Sequence, residues 1–170
     1  MAYLGAGATG TVAVGAGTGK PAIYSATPTV TSITLGSGTA LTTYQQDTYT
    51  PVLSFGGGTT GITYATQKGT YTQIGNIVFV RITISLSNKG SSTGIASITL
   101  PVTAAGTDVL ALDAANLTFA GNYVDFITFG NSPLIRSLVT AGAVTNLTDT
   151  AFANNTNLII SGVYSTTADA

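Results

Sequence analysis

The sequence has no histidine, no cysteine, no tryptophan and no glutamate, and charged residues make up only 6% of its 170 positions. Each absence closes off a class of chemistry. Without thiol or imidazole ligands an ordinary zinc site cannot be built, and no metal is expected. Without histidine, the serine and cysteine nucleophile arrangements lack their base. No side chain then titrates in its ordinary range between pH 5 and 8, so folding stability is expected to vary little there. Disulfides cannot contribute. All six acids are Asp, and the five bases are Lys20, Lys68, Arg81, Lys89 and Arg136, for a net charge of −1. Ordinary domains carry about 25% charged residues. So neutral a chain has no basic patch to release counterions from a nucleic acid or to hold an anionic membrane. Neither is expected as a partner.

Two aspartates could still serve as a glycosidase acid and base. Asp108 and Asp113 are the closest pair in sequence, but they lie in what reads as a turn region, where solvated carboxylates are ordinary. No enzymatic activity and no cofactor are expected. A chain that is 44% hydrophobic has the material for a core, and one of about 150 residues hides roughly 70% of its unfolded surface. With so little charge, it stays soluble through hydroxyls and amides, or through burial in an assembly.

What is abundant is β-forming. From residue 48 to 165 the pattern is short runs of Val, Ile, Thr, Tyr and Phe broken by Gly, Asn and Ser, the signature of an antiparallel sandwich or barrel. In "NIVFVRITISLS", residues 76–87, Val78, Val80, Ile82, Ile84 and Leu86 alternate with Phe79, Arg81, Thr83, Ser85 and Ser87. One face is therefore apolar and the other polar, which suits a sheet buried on one side. "TPVLSF" and "GITYAT" flank the turn "GGGTT", and "GTYTQI" reaches the long strand through "GN". Further strands are expected at "IASITL", "NLTFAG", "YVDFITF", "PLIRSLV" and "NLIISGVYS", with "ATQKG" and "FANNTN" read as turns. Eight or nine strands in this length predict an all-β fold, an antiparallel β-sandwich of jelly-roll type, over residues 47–170.

Residues 1–46 differ, with eight glycines and the single charge Lys20. They read as an extended arm, with a hairpin around "GSG" over residues 29–44. Near their start, "GAGATGTVAVGAGTGK" matches G-x-G-x-x-G and the end of a phosphate loop. The dinucleotide fingerprint needs a strand before it and a helix after it. Here four residues precede Gly5, and "TVAV" favours a strand. A phosphate loop would need glycine where Val14 stands and Ser or Thr where Pro21 stands. Both matches follow from a Gly/Ala/Thr-rich composition, and no nucleotide site is expected.

The features "TP.L.FGG", "G.TY..Q.G.Y..IGN.V" and "KGSSTG.A.I.LP" occur in order across residues 49–102, and "NNTNLIISGVYST" closes the chain. Over about residues 48–166 the sequence resembles a β-domain of tail-fibre-type and other virion proteins of tailed bacteriophages. The resemblance implies an exposed, homotrimeric β-domain of a virus particle, and it carries no catalytic residues. A compact domain behind a charge-poor arm suits a capsid cement or decoration protein, the arm binding the major capsid protein of the same particle. The alternative is a short tail fibre or spike that recognises a host-surface glycan. In either case Phe79 and Arg81 are candidates for a threefold interface, where aromatics and Arg are enriched. Tyr3, Tyr24 and Tyr44 are candidate anchors in the arm.

Overall fold

The computed structural model describes residues 12–14, 23–25, 43–121, 123–128, 133–138 and 144–167. Its strands are β1 (Val12–Val14), β2 (Ile23–Ser25), β3 (Tyr44–Tyr49), β4 (Leu53–Phe55), β5 (Ile62–Ile74), β6 (Ile77–Lys89), β7 (Ala96–Ile98), β8 (Val109–Leu117), β9 (Tyr123–Ile127), β10 (Leu134–Leu138), β11 (Val144–Asn146) and β12 (Phe152–Ser165). A 3-10 turn at Asp149–Ala151 leads into the last strand. The fold is all-β and its ladders are antiparallel.

The chain divides into two compact units, Met1–Ala40 and Leu41–Ala170. In the first, β1 pairs with β2 from Val12↔Ser25 to Val14↔Ile23, so the Val-Ala-Val stretch is a strand, as its composition predicts. The hairpin expected over 29–44 lies outside the described residues except for its last two. Those two do not belong with the leader. Tyr44 begins β3, which pairs with β5 from Tyr44↔Ile74 to Tyr49↔Gly69. The leader unit therefore ends at Ala40 and not at residue 46. Exposed from Tyr44 to Thr48 and half-buried only at Tyr49, β3 has no apolar alternation to announce it, and the ladder with β5 is what makes it a strand.

The second unit is a ten-stranded sheet in the order β3-β5-β6-β12-β8-β9-β10-β7-β4, with β11 beside β10. The strand β8 belongs to both halves. Its residues from Ala111 to Leu117 pair with β12, whereas Val109 and Leu110 pair with β9. A strand that changes partners midway turns a corner in the sheet. The sheet curls, and residues from both ends of the path share one core. Leu53 and Phe55 of β4, Ile98 of β7 and Phe126 of β9 pack in one cluster with Ile82 of β6 and with Leu158 and Ile160 of β12. On β6 the alternation holds as predicted: Val78, Val80, Ile82, Ile84 and Leu86 are buried, while Phe79, Arg81 and Ser87 are exposed.

Three local readings are corrected. "ATQKG" is no turn, because residues 62–74 form one continuous strand with an irregularity near Tyr64. Gly69 does not break it, since Tyr49 lies directly opposite and its ring covers the glycine so closely that a Cβ would overlap the ring. "FANNTN" likewise lies within β12, where the register against β8 shifts between Phe152 and Asn157. Buried Thr156 holds that bulge, its hydroxyl donating to Asn116 O at 2.7 Å and accepting from Ala153 N at 2.8 Å. Finally, residues 109–117, "VLALDAANL", form a strand and not a turn region, while "NLTFAG" supplies only its last two residues. Three alanines give this stretch weak β-propensity, and cross-strand pairing with β12 overrides it.

Tyr164 shows how the core is tied at one end. It is 1% exposed, and its hydroxyl donates to Val102 O at 2.8 Å. Burial pushes its phenol up to about 12, against the opposing pull of the Val102 backbone N–H, which donates to the phenolic oxygen at 3.4 Å. Burial also raises Tyr49. A phenol that ionises less readily folded than unfolded contributes stability that is complete below its unfolded value near 10 and is lost as pH rises through its folded value. The thermal midpoint should therefore be level from pH 5 to 8 and fall steeply between about pH 10 and 12. Tyr164→Phe should flatten that alkaline fall, as a pH series of melting curves would show.

Candidate functional site

Cross-strand register decides which outward side chains become neighbours. On the half-sheet β3-β5-β6-β12-β8, one outward row runs Gln46, Thr72, Phe79 and Val163. The next runs Thr48, Thr70, Arg81, Ser161 and Ala111, and a third runs Lys68, Thr83, Ile159 and Asp113. Toward the β5–β6 turn, Tyr44 lies opposite Ile74 on the same face. Hydroxyls of Thr48, Thr70, Thr72, Thr83 and Ser161 line the middle of this surface, yet Phe79 is 47% and Val163 45% exposed. Directly opposite each other, they form an apolar pair beside Arg81. Two shallow depressions mark the face. One of about 420 Å³ runs over Thr70, Thr72, Phe79, Arg81 and Val163. The other, about 340 Å³, is lined by Lys68, Thr70, Arg81 and Thr83.

Charge distribution sets this face apart. Elsewhere the described charges have partners. Arg136 makes a bidentate pair with Asp125, directly opposite on β9, through Nε at 3.1 Å and Nη2 at 2.8 Å. Lys89 lies 3.9 Å from Asp149, which also accepts from Gly94 N. Asp108 accepts from the backbone N–H and hydroxyl of Ser165 at 3.0 and 3.1 Å, and Asp47 accepts from Thr48 N at 2.7 Å. Among the described residues, Lys68, Arg81, Asp47, Asp108 and Asp113 make no ion pair; of these, Lys68, Arg81 and Asp113 lie on the outer face of this half-sheet.

The two aspartates singled out as a carboxylate pair are separated by this geometry. Asp108 precedes β8 and is tied to Ser165, whereas Asp113 projects from the middle of the strand. Five residues of extended chain span roughly 16 Å, well beyond the about 5–9.5 Å of a glycosidase pair. The buried hydroxyl of Thr128 is likewise engaged with backbone, donating to Gly106 O and accepting from Asp108 N.

Of the residues expected at an interface, Phe79 and Arg81 stand two apart on β6 and share the outer face. Tyr44, 64% exposed, lies toward one end of that face, on the sheet itself and not on the leader. Tyr24 belongs to β2 in the other unit, and Tyr3 lies outside the described residues. Sequence reasoning missed Lys68, Asp113 and Val163. Alternation along β12 could have placed Val163 outward, but only the register Lys68↔Thr83 and Asp113↔Ile159 reveals that the two charges share one row. The two segments read as turns, "ATQKG" and "FANNTN", are parts of strands and offer no loop to a ligand there. No described helix is long and apolar enough to cross a membrane. No family model, curated protein or solved structure matches the chain.

Proposed function

We propose that the chain is a structural protein of a bacteriophage particle, a homotrimeric capsid cement or decoration protein that attaches to the major capsid protein through its N-terminal leader. In this reading the curled sheet is a sandwich of jelly-roll type projecting from the capsid surface. The observation that carries it is the division between a leader with a single charge and a second unit that contains the whole of the described core. The ordered features over residues 48–166 add the likeness to phage virion domains. A leader rich in Gly, Ala, Thr and Val binds by backbone hydrogen bonds and apolar contact, as a strand added to a neighbour's sheet does. Stable association on the ordinary scale buries about 1,600 Å², and a capsid repeats such a contact many times.

The test removes residues 1–40, stopping there because Tyr44–Tyr49 is part of the sheet. The shortened chain should keep its β circular dichroism and cooperative melting yet fail to sediment with particles lacking the protein, to which the full chain binds. Attachment by the shortened chain as strong as by the full one would refute the role given to the leader. Saturable binding of a host glycan by the shortened chain, with a few copies per particle in place of hundreds, would mark a receptor-binding appendage instead.

A further inference from the structure

We infer that the outer face of the half-sheet β3-β5-β6-β12-β8 is where copies of this chain meet, Lys68 and Arg81 of one copy facing Asp113 of the next. The inference rests on the homo-oligomer reading above and names its contact. Lys68 and Arg81 occupy diagonal positions on adjacent strands, a placement in which like charges repel. Neither has a carboxylate partner among the described residues. Asp113 is on the row of Lys68, one row from Arg81, and three strand spacings from Lys68, about 14 Å away, too far to neutralise it within one copy. In a chain that pairs its other described side-chain cations, Lys89 and Arg136, with aspartates, this spacing leaves one flank of the face positive and the other negative.

The surface between the flanks suits burial. Its hydroxyls, Thr70, Thr83 and Ser161, carry no charge to desolvate, and Phe79, Ile159 and Val163 supply apolar area. The polarity dictates how two such faces can meet. Cations meet the carboxylate when the β5 flank of one copy lies on the β8 flank of its neighbour. Repeated about a threefold axis, that head-to-tail contact closes a ring. A twofold axis lying in the interface and perpendicular to the strands would set Lys68 on Lys68 and is disfavoured, since like charges brought together at an interface repel.

The full chain should be followed by sedimentation velocity over a wide concentration range, alongside Asp113→Arg and the triple variant Lys68→Glu, Arg81→Glu, Asp113→Arg. Asp113→Arg should weaken self-association at least tenfold with an unchanged circular dichroism spectrum, and the triple variant, which reverses the polarity, should restore it. An unweakened Asp113→Arg oligomer would overturn the inference while leaving the homo-oligomer standing. A triple variant as weak as Asp113→Arg would overturn the pairing of charges. A wild-type chain monomeric at every concentration would assign the face to a different protein and overturn both.

Discussion

Phe55→Ala is expected to destabilise the sheet unit by about 3–5 kcal/mol, among the largest effects of any single truncation in this protein. Phe55 is 1% exposed, and it closes the curl. It ends β4, the last strand of the sheet path. Its ring meets that of Phe152, at the start of β12, with centroids 4.9 Å apart and planes at 67°. Edge-to-face pairs of this kind add about 0.5–1.5 kcal/mol beyond the area they bury. The strand carrying Phe55 is short and at the edge, with three residue pairs to β7 and none to a second strand. Buried Leu53, the Tyr64 hydroxyl on Leu53 and the Ser54–Ser97 hydroxyl bond supplement these pairs. Losing the side chain leaves a cavity and weakens an edge that backbone bonds alone secure poorly. Phe55→Leu, which keeps most of the volume, should cost about 1–2 kcal/mol. Urea denaturation gives both values, and a loss below 1 kcal/mol in the alanine variant would contradict the packing described.

Gly90→Ala should follow closely, at about 2–5 kcal/mol, because two penalties add there. The residue sits at φ +73°, and a Cβ would run into the carbonyl oxygen of Thr60 and come within 2.7 Å of Gly61 C and Ile62 N. These are backbone atoms where the β5 and β6 ends meet, so no side chain can swing aside. Gly57 separates the two effects. It has φ +83° but open space around its Cα, so Gly57→Ala should show the conformational cost alone, about 1–2 kcal/mol. Gly106, with neither a positive φ nor a neighbour within 4 Å, should tolerate alanine almost unchanged. The order Gly90, Gly57, Gly106 in melting temperature loss is the measurement. An equal loss at Gly90 and Gly57 would mean that the close approach of the two chain ends is not present in solution.

What the sequence made legible was whatever local pattern alone decides. The alternation of β6 placed Val78, Val80, Ile82, Ile84 and Leu86 inside and Phe79 and Arg81 outside, because one strand's side chains alternate whatever its neighbours are. The class, all-β and antiparallel, followed from the same signal repeated. Misreadings arose where a partner overrides local preference. Gly69 suggested a break, yet the Tyr49 ring fills the missing side chain's place. Alanines at 111, 114 and 115 hid β8, and the polar run of β3 concealed an edge strand. The outer face was half legible for the same reason. Its two β6 residues could be named, but their neighbours Lys68, Val163 and Asp113 come from strands whose order and register depend on contacts far apart in the chain.

That order also bears on how the protein is made. The strand β12, latest of the twelve in sequence, lies between β6 and β8 in the interior of the sheet. A nascent chain emerging from the ribosome therefore holds two unsatisfied inner edges until residues 152–165 arrive. Pairings so distant along the chain form slowly, and open strand edges invite sticking to other molecules. Premature termination before β12 should yield insoluble fragments, because the edges of β6 and β8 are then left unpaired.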